Sequence, residues 1–178
     1  YSHHADTPGT LATLLSTLAS EEINVRTAWL HSLEDGTATA YLTLDAPPDR
    51  VAEAVAFVMG TARDRFFQIE ARRRTVLPPP KGAAAYLLEL DGVWLPLALS
   101  RHMIVTVHAN RPGVLLVLLS ALAARKVNVL DLQLGERGDT GYAALGVDGD
   151  EREVSALLAQ LGSDYLEAVT VILPDPSD

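Results

Sequence analysis

Two sets of polar residues flank apolar, helix-like runs of the chain. One set is His108, Asn110 and Asn128, on either side of a leucine-rich stretch. An amide oxygen accepts hydrogen bonds from an ammonium group, and an imidazole can donate to or accept from a polar side chain. A helix start also offers unpaired N–H groups and a dipole that favours an anion, such as the carboxylate of an amino acid. Together these groups suit a small zwitterion.

The second set repeats the first. With an offset of 104 residues and no gap, His4, Asp6 and Asn24 align with His108, Asn110 and Asn128, and "PG" and "LLS" recur between them. Self-similarity of this length predicts duplicated structural units.

Each unit is predicted to contain the order strand, helix, strand, strand, helix, strand. The second copy begins with a strand at His102 to Ala109 and a helix at Val114 to Lys126, with Pro112 in the first turn of that helix. Strand "VNVLDLQL", turn "GERGDTG" and strand "YAALGVD" follow. A helix capped by Asp150 and Glu153 and stopped by Gly162 then leads to strand "EAVTVILP". The first copy has a helix at Thr10 to Glu22, strands "NVRTAWLHS" and "ATAYLTLD", a helix at Asp49 to Met59 and strand "FFQIEARR".

This order predicts an α+β fold of two ferredoxin-like βαββαβ units, each with an antiparallel sheet and both helices on one face. We expect a first domain at residues 1–76, whose first strand is shortened at its start, and a second at 101–178. Residues 77–100 form a proline-rich linker, in which Asp91 and Gly92 suit the type I′ turn of a β-hairpin.

The fold should bring His108, Asn110 and Asn128 together at the start of the first helix of the second unit, because one ends a strand, one opens the loop and one begins a neighbouring strand. A structural reading stands beside this one, since asparagine often caps helices, Pro-Gly forms turns and single histidines are usually structural. We favour binding for the second set. Both readings remain open for the first.

The helix from Val114 is apolar on more than one side, because Leu116 and Val117 cannot share a face with Leu115 and Leu119. We therefore expect the two units to pack on each other or on a second chain, through this helix or through sheet edges. A homodimer is one form of that expectation.

Composition excludes several classes. A formal net charge of −9 and 6% aromatic residues argue against nucleic-acid binding, and no apolar run is long enough to span a membrane. With no cysteine, a cytoplasmic location fits. No nucleophile elbow, P-loop or metal-ligand spacing occurs, so we predict no catalytic residue, metal site or cofactor.

Both halves resemble ACT domains, on the motifs "DTPGTL…INV" and "NRPGVL…VNV". Members of that family are small regulatory modules that bind amino acids and control metabolic enzymes. The resemblance implies an amino-acid-binding regulatory protein, or the regulatory part of a larger enzyme, rather than an enzyme in itself.

The second copy is most similar to the serine-binding ACT domain of D-3-phosphoglycerate dehydrogenases, through "HANRPGVL" and "VNV". This resemblance implies a site for serine or glycine at His108, Asn110, Pro112, Gly113, Val114, Leu115 and Asn128, and a weaker site at His4, Asp6, Gly9, Thr10, Leu11 and Asn24. The dinucleotide fingerprint of such a dehydrogenase is absent. Because Asp6 replaces an asparagine, we expect the neutral second site to bind an amino acid more tightly.

Two alternatives remain. The ACT-like units could have lost ligand binding and serve as an interaction or dimerisation module. They could also form a transcription-regulating pair resembling the glycine-cleavage repressor, which would need a protein partner because no DNA-binding helix-turn-helix is present.

Overall fold

The computed structural model describes residues 1–62, 64–69, 85–98, 102–161 and 166–172. The first half of the chain contains β1 (Ser2–Ala5), α1 (Thr10–Ser20), β2 (Asn24–Ser32), β3 (Thr37–Asp45), α2 (Pro48–Thr61) and β4 (Phe66–Ile69). A hairpin follows, formed by β5 (Ala85–Leu90) and β6 (Val93–Ala98). The second half contains β7 (His102–Ala109), α3 (Val114–Ala124), β8 (Val129–Arg137), β9 (Thr140–Val147), α4 (Glu151–Gln160) and β10 (Leu166–Ile172).

The main sheet is antiparallel and has eight strands in the order β10-β7-β9-β8-β2-β3-β1-β4. Each half contributes four neighbouring strands in the ferredoxin-like order, and the halves meet where β2 pairs with β8. The fold is thus α+β with an antiparallel sheet and four helices in the described residues, as the sequence predicts.

The helices cover one face of the sheet. Their buried side chains form a single cluster with alternate sheet residues, which includes Leu18 from α1, Val58 from α2, Leu118 from α3, Leu157 from α4 and Leu132 from the sheet. Helix α1 packs directly against α3. The apolar helix therefore contacts the other half, as expected. Leu115 and Leu119 are buried, whereas Val117, on the second apolar face that motivated the expectation, is 38% exposed.

The hairpin covers the opposite face of the second half. Leu95 of β6 packs against Met103, Tyr142 and Ala144, which alternate with the helix-facing residues of β7 and β9. Asp91 and Gly92 have φ angles of 50° and 80°, so the predicted hairpin with a type I′ turn is confirmed. The part of the linker that holds Pro78, Pro79, Pro80 and Gly82 lies outside the described residues.

Helices α1 and α3 end in the same way. The residue after each C-cap has positive φ, 55° at Glu22 and 60° at Lys126. The following apolar residue then donates back into the last turn, Ile23 to the Leu18 carbonyl at 2.8 Å and Val127 to the Leu122 carbonyl at 3.1 Å. These are Schellman motifs, and they place an asparagine directly after each buried apolar residue.

Several local predictions need correction. Helix α3 begins at Val114 with Gly113 as its N-cap, so Pro112 precedes the helix rather than lying in its first turn. The turn predicted at "GERGDTG" is much shorter, because β8 continues to Arg137 and β9 begins at Thr140.

Asp150 caps α4 by accepting from the Glu153 N–H at 2.7 Å, as predicted, whereas Gly162 lies outside the described residues. Among the described helices, none has the length and apolar character needed to cross a membrane.

Candidate functional site

Two clefts lie at the boundary between the halves, and each is lined by residues from both. Site A encloses about 390 Å³, including the solvent that opens into it, and Leu15, Ala19 and Asn24 of the first half face the loop of the second. Its residues from the second half include His108, Asn110, Pro112, Gly113 and Leu115. Val114, which was predicted to join them, is buried in the core beside this cleft.

Site B is the corresponding cleft at the other end of α1 and encloses about 350 Å³, again including open solvent. Its first-half lining includes His4, Asp6, Gly9, Thr10 and Leu11. Val127 and Asn128 of the second half complete it. The structure therefore brings together most of the residues of each predicted set, but it exchanges the asparagines that follow the helices.

At site A, Asn24 Nδ2 donates to Asn110 Oδ1 at 2.9 Å. At site B, Asn128 Nδ2 donates to Asp6 Oδ1 at 2.7 Å. The prediction that Asn128 meets His108 and Asn110 is therefore wrong, and so is the matching prediction that Asn24 meets His4 and Asp6.

The reason lies in strand direction. Strands β7 and β8 both pair antiparallel with β9, so they run parallel to each other. His108 near the end of β7 is level with Glu136 near the end of β8, whereas Val129 at the start of β8 is level with His102. Asn128 therefore lies roughly 20 Å along the sheet from His108. Strand β2 runs antiparallel to β8, which brings Asn24 to the His108 end instead.

The first turns of α1 and α3 face the two clefts. Their N-caps, Gly9 and Gly113, have φ angles of 87° and 86°, a left-handed conformation that glycine adopts without strain, and neither helix has a side-chain cap. Asn110 is thus not a helix cap, since its side chain bonds elsewhere. An added Cβ on Gly9 would lie 3.3 Å from Ala123, and one on Gly113 would lie 3.8 Å from Ala19. Each helix start packs close to the end of the other helix.

The two histidines occupy matching buried positions and are neutral at pH 7. Burial lowers the pKa of His108 to about 4, and burial outweighs the nearby Asp6 charge to lower the pKa of His4 to about 4. His108 Nδ1 shares a hydrogen bond of 3.2 Å with Thr106 Oγ1, and His4 Nδ1 shares one of 3.1 Å with Ser2 Oγ. Neutral rings beside the clefts can exchange hydrogen bonds with a ligand but add no positive charge.

Glu136 is a site residue that the sequence analysis missed. Its Oε2 accepts from Asn110 Nδ2 at 2.6 Å, and its Oε1 accepts from Arg26 Nε at 2.5 Å. The sequence pattern predicts a turn at this residue, whereas the structure places it in β8. The repeat could have pointed to it, because the offset of 104 residues aligns Glu136 with Ser32. The strand registers place these two residues at matching positions in the two halves.

The two sites therefore differ in where their carboxylate lies. Site B carries Asp6 on its loop where site A carries Asn110, and next to site A the strand bears Glu136 at the position that Ser32 holds in the first half. Glu136 brings a carboxylate against Asn110 that the expectation of a neutral site A did not include. That charge is partly offset by the ion pair with Arg26.

Comparisons with known proteins agree with this fold. An ACT domain is found at residues 102–164, which contain the loop, helix and strands of site A. A crystal structure of aspartate kinase from Synechocystis matches with a TM-score of 0.57 and 19% sequence identity. That match covers 94% of this chain but only 26% of the kinase chain. No curated protein sequence matches significantly.

Proposed function

We propose that the chain is a pair of ACT domains that bind an amino acid at the boundary between them and pass that signal to a metabolic enzyme. The ACT match covers residues 102–164, which form most of the second half. The first half repeats its order of elements and its strand order, which supports a second domain of the same kind. The observation that carries the proposal is the pairing of Asn24 with Asn110, which completes a polar cleft beside a helix start from both halves.

The arrangement at site A suits a zwitterion. The N–H groups at the start of α3 would hold the ligand carboxylate, because the helix dipole favours an anion there. The oxygen of Asn110 would face the ammonium group, with the Glu136 carboxylate behind the same amide. The proposed binding residues are thus His108, Asn110, Gly113 and Leu115 with Asn24 of the first half. Pro112 shapes the turn, and Val114 supports it from the core.

Site B is proposed as a second, non-identical site. Asp6 would accept from the ligand ammonium, with His4 and Asn128 alongside and the first turn of α1, from Gly9 and Thr10 to Leu11, facing the carboxylate. A ligand in either cleft would contact both halves. It would therefore favour one arrangement of the halves over others, which is the differential affinity that allosteric control requires.

Serine or glycine is the proposed ligand of site A. The cleft is small and opens beside the Gly113 turn, and a large apolar ligand would leave the amides there without hydrogen-bond partners. Each buried polar group that loses its partner in this way costs about 1–3 kcal/mol. The test is calorimetric titration of the full chain with the twenty amino acids. Serine or glycine should bind most tightly, and preferred binding of leucine or phenylalanine would contradict the serine assignment while leaving amino-acid binding intact.

The controlled partner is proposed to be an enzyme, on the same or a separate polypeptide. The chain spans about a quarter of the aspartate kinase chain that it matches. Strands β4 and β10 lie at the edges of the main sheet, so a further copy could pair there to give a dimer. A ligand-free interaction module is the second candidate, because the asparagines already satisfy their partners across the boundary.

A further inference from the structure

Glu136 ties the boundary between the halves to the loop of site A. The residue is the penultimate one of β8, and its side chain is only 17% exposed. One carboxylate oxygen accepts from Arg26 on β2 of the first half, and the other accepts from Asn110 on the loop of the second half. A single carboxylate thus joins the strand pair and the ligand loop.

These bonds fix which way the Asn110 amide faces. Its Nδ2 donates to Glu136 Oε2 at 2.6 Å and to the Gly138 carbonyl at 3.2 Å. Its Oδ1 is thereby directed to Asn24, which donates to it at 2.9 Å. An amide carries donors on one side and an acceptor on the other, so Glu136 leaves an oxygen on the cleft side of Asn110.

The negative charge of Glu136 is only weakly neutralised by its ion-pair partner. The only interaction partner of opposite charge that Glu136 shows among the described residues is Arg26, whose side chain is 53% exposed. Solvent screens such an exposed cation strongly, whereas the half-buried carboxylate keeps more of its field. The neighbouring His108 is neutral, so it does not cancel the negative charge. Arg111 is the cation that lines the cleft itself, where it faces the ligand rather than Glu136 in the proposed arrangement.

Space for this arrangement comes from Gly141. That glycine lies between Glu136 and His108 in the register of β8, β9 and β7, and a Cβ there would come within 2.5 Å of the His108 ring. The His108 ring therefore fills the space that a side chain at position 141 would occupy.

We propose that Glu136 makes site A selective for ligands with a protonated α-amino group, by orienting Asn110 and by placing a negative charge directly behind its amide. This proposal rests on the proposed amino-acid binding at site A. Under it, a 2-hydroxy acid with the same side chain and carboxylate is rejected, because its hydroxyl brings no positive charge. Glu136 acts partly through Asn110 and is in that respect a positioning residue.

The experiment compares L-serine with L-glycerate, and glycine with glycolate, on the full chain. Ring resonances of His108 in NMR titrations report site A, and those of His4 report site B. The wild-type chain should bind serine about 10- to 100-fold more tightly than glycerate at site A, as expected for a hydrogen bond to a charged group. Glu136→Gln should remove most of this preference by weakening serine and leaving glycerate little changed. Glu136→Asp should restore part of it.

Two further variants keep the test decisive. Glu34→Gln removes an exposed carboxylate from the β2–β3 turn and should leave the preference unchanged. Arg26→Gln removes the cation that pairs with Glu136 and keeps the carboxylate, so the preference for serine over glycerate should rise. This variant tests the proposal even if Glu136→Gln does not fold. A preference that survives Glu136→Gln, or that falls in Arg26→Gln, overturns the role of Glu136. If none of the amino acids moves the His108 resonances, the proposed function itself fails; equal binding of serine and glycerate by the wild type would overturn only the role of Glu136.

Discussion

The side-chain amide of Asn24 donates to the side-chain oxygen of Asn110 at 2.9 Å, although the two residues are 86 positions apart. The counterpart, Asn128 to Asp6, spans 122 positions at 2.7 Å. In each pair one residue follows the Schellman motif of one half and the other opens the loop of the other half. Each cleft is thus completed by the opposite half of the chain, so the binding that we propose there would be linked to the arrangement of the halves.

Gly141→Ala should weaken both the fold and site A. The new methyl group would meet the His108 ring at 2.5 Å, and the ring cannot retreat into the packed sheet without cost. We expect a loss of about 1–3 kcal/mol in the free energy of unfolding and a weaker affinity at site A, with site B spared. Urea denaturation and ligand titration measure the two effects.

Gly60→Ala is the matched control for that substitution. Gly60 lies in α2, and a Cβ there would meet nothing within 4 Å. Alanine in a helix should be neutral or stabilise the fold by roughly 0.5–1 kcal/mol. A similar loss of stability in both variants would show that the His108 contact is not the cause.

The buried histidines should make stability depend on pH. Burial lowers the pKa of His108 and of His4 from 6.5 to about 4, so between those values the unfolded chain binds more protons than the folded one. The stabilisation is complete above pH 6.5 and is lost as the pH falls towards 4. Each histidine contributes on the order of 3 kcal/mol to this change.

His108→Gln should remove about half of the histidine contribution. The measurement is the free energy of unfolding from urea titrations between pH 4.5 and 7.5, with the wild type and His4→Gln alongside. Carboxylates titrate in both proteins, so the difference between the curves is the informative quantity. Parallel curves for the wild type and His108→Gln would contradict the buried neutral state of His108.

The hairpin should stabilise the second half through one side chain. Leu95 is 1% exposed and packs on Met103, Tyr142 and Ala144, whereas its neighbour Trp94 is 56% exposed. Leu95→Ala should cost about 2–5 kcal/mol in the free energy of unfolding, and Trp94→Ala should cost far less. Comparable losses in the two variants would argue that the hairpin does not rest on the sheet as described.

Asn110→Asp should be more harmful than Asp6→Asn. The first change places a second carboxylate where Asn110 now donates to Glu136 at 2.6 Å, so a hydrogen bond becomes a repulsion. We expect a loss of about 2–3 kcal/mol and much weaker binding at site A. Adding Glu136→Gln to Asn110→Asp should recover most of the stability, and failure to do so would place the cause elsewhere. Asp6→Asn keeps an oxygen for Asn128 and should cost less than 1 kcal/mol.

Much of the fold could be read from the sequence. The offset repeat with its Pro-Gly turns and leucine stripes predicted the order of elements, and Asp91-Gly92 predicted the hairpin turn. The pairing of β2 with β8 was not specified, because edge strands pair through backbone groups that leave no pattern in the side chains. The polar residues of the clefts were found, since their types and spacing recur in both halves.

What the sequence could not supply was the partner of each asparagine. Asn128 follows the same helix that starts beside His108, which suggested one local site. The parallel course of β7 and β8 separates the two residues, and only the antiparallel junction of the halves brings in Asn24. Glu136 was missed for a related reason, because the glycines of "GERGDTG" suggested a long turn where the strands in fact continue.

The most direct test of the two-half sites is to remove each asparagine and follow the two histidines. The full chain, as wild type, Asn24→Ala and Asn128→Ala, would be titrated with L-serine and glycine while NMR records the ring resonances of His108 and His4. Our account predicts that Asn24→Ala weakens binding at His108 by about 5- to 100-fold and spares His4, whereas Asn128→Ala does the reverse. Loss of binding at His108 in Asn128→Ala, with Asn24→Ala unchanged there, would contradict it.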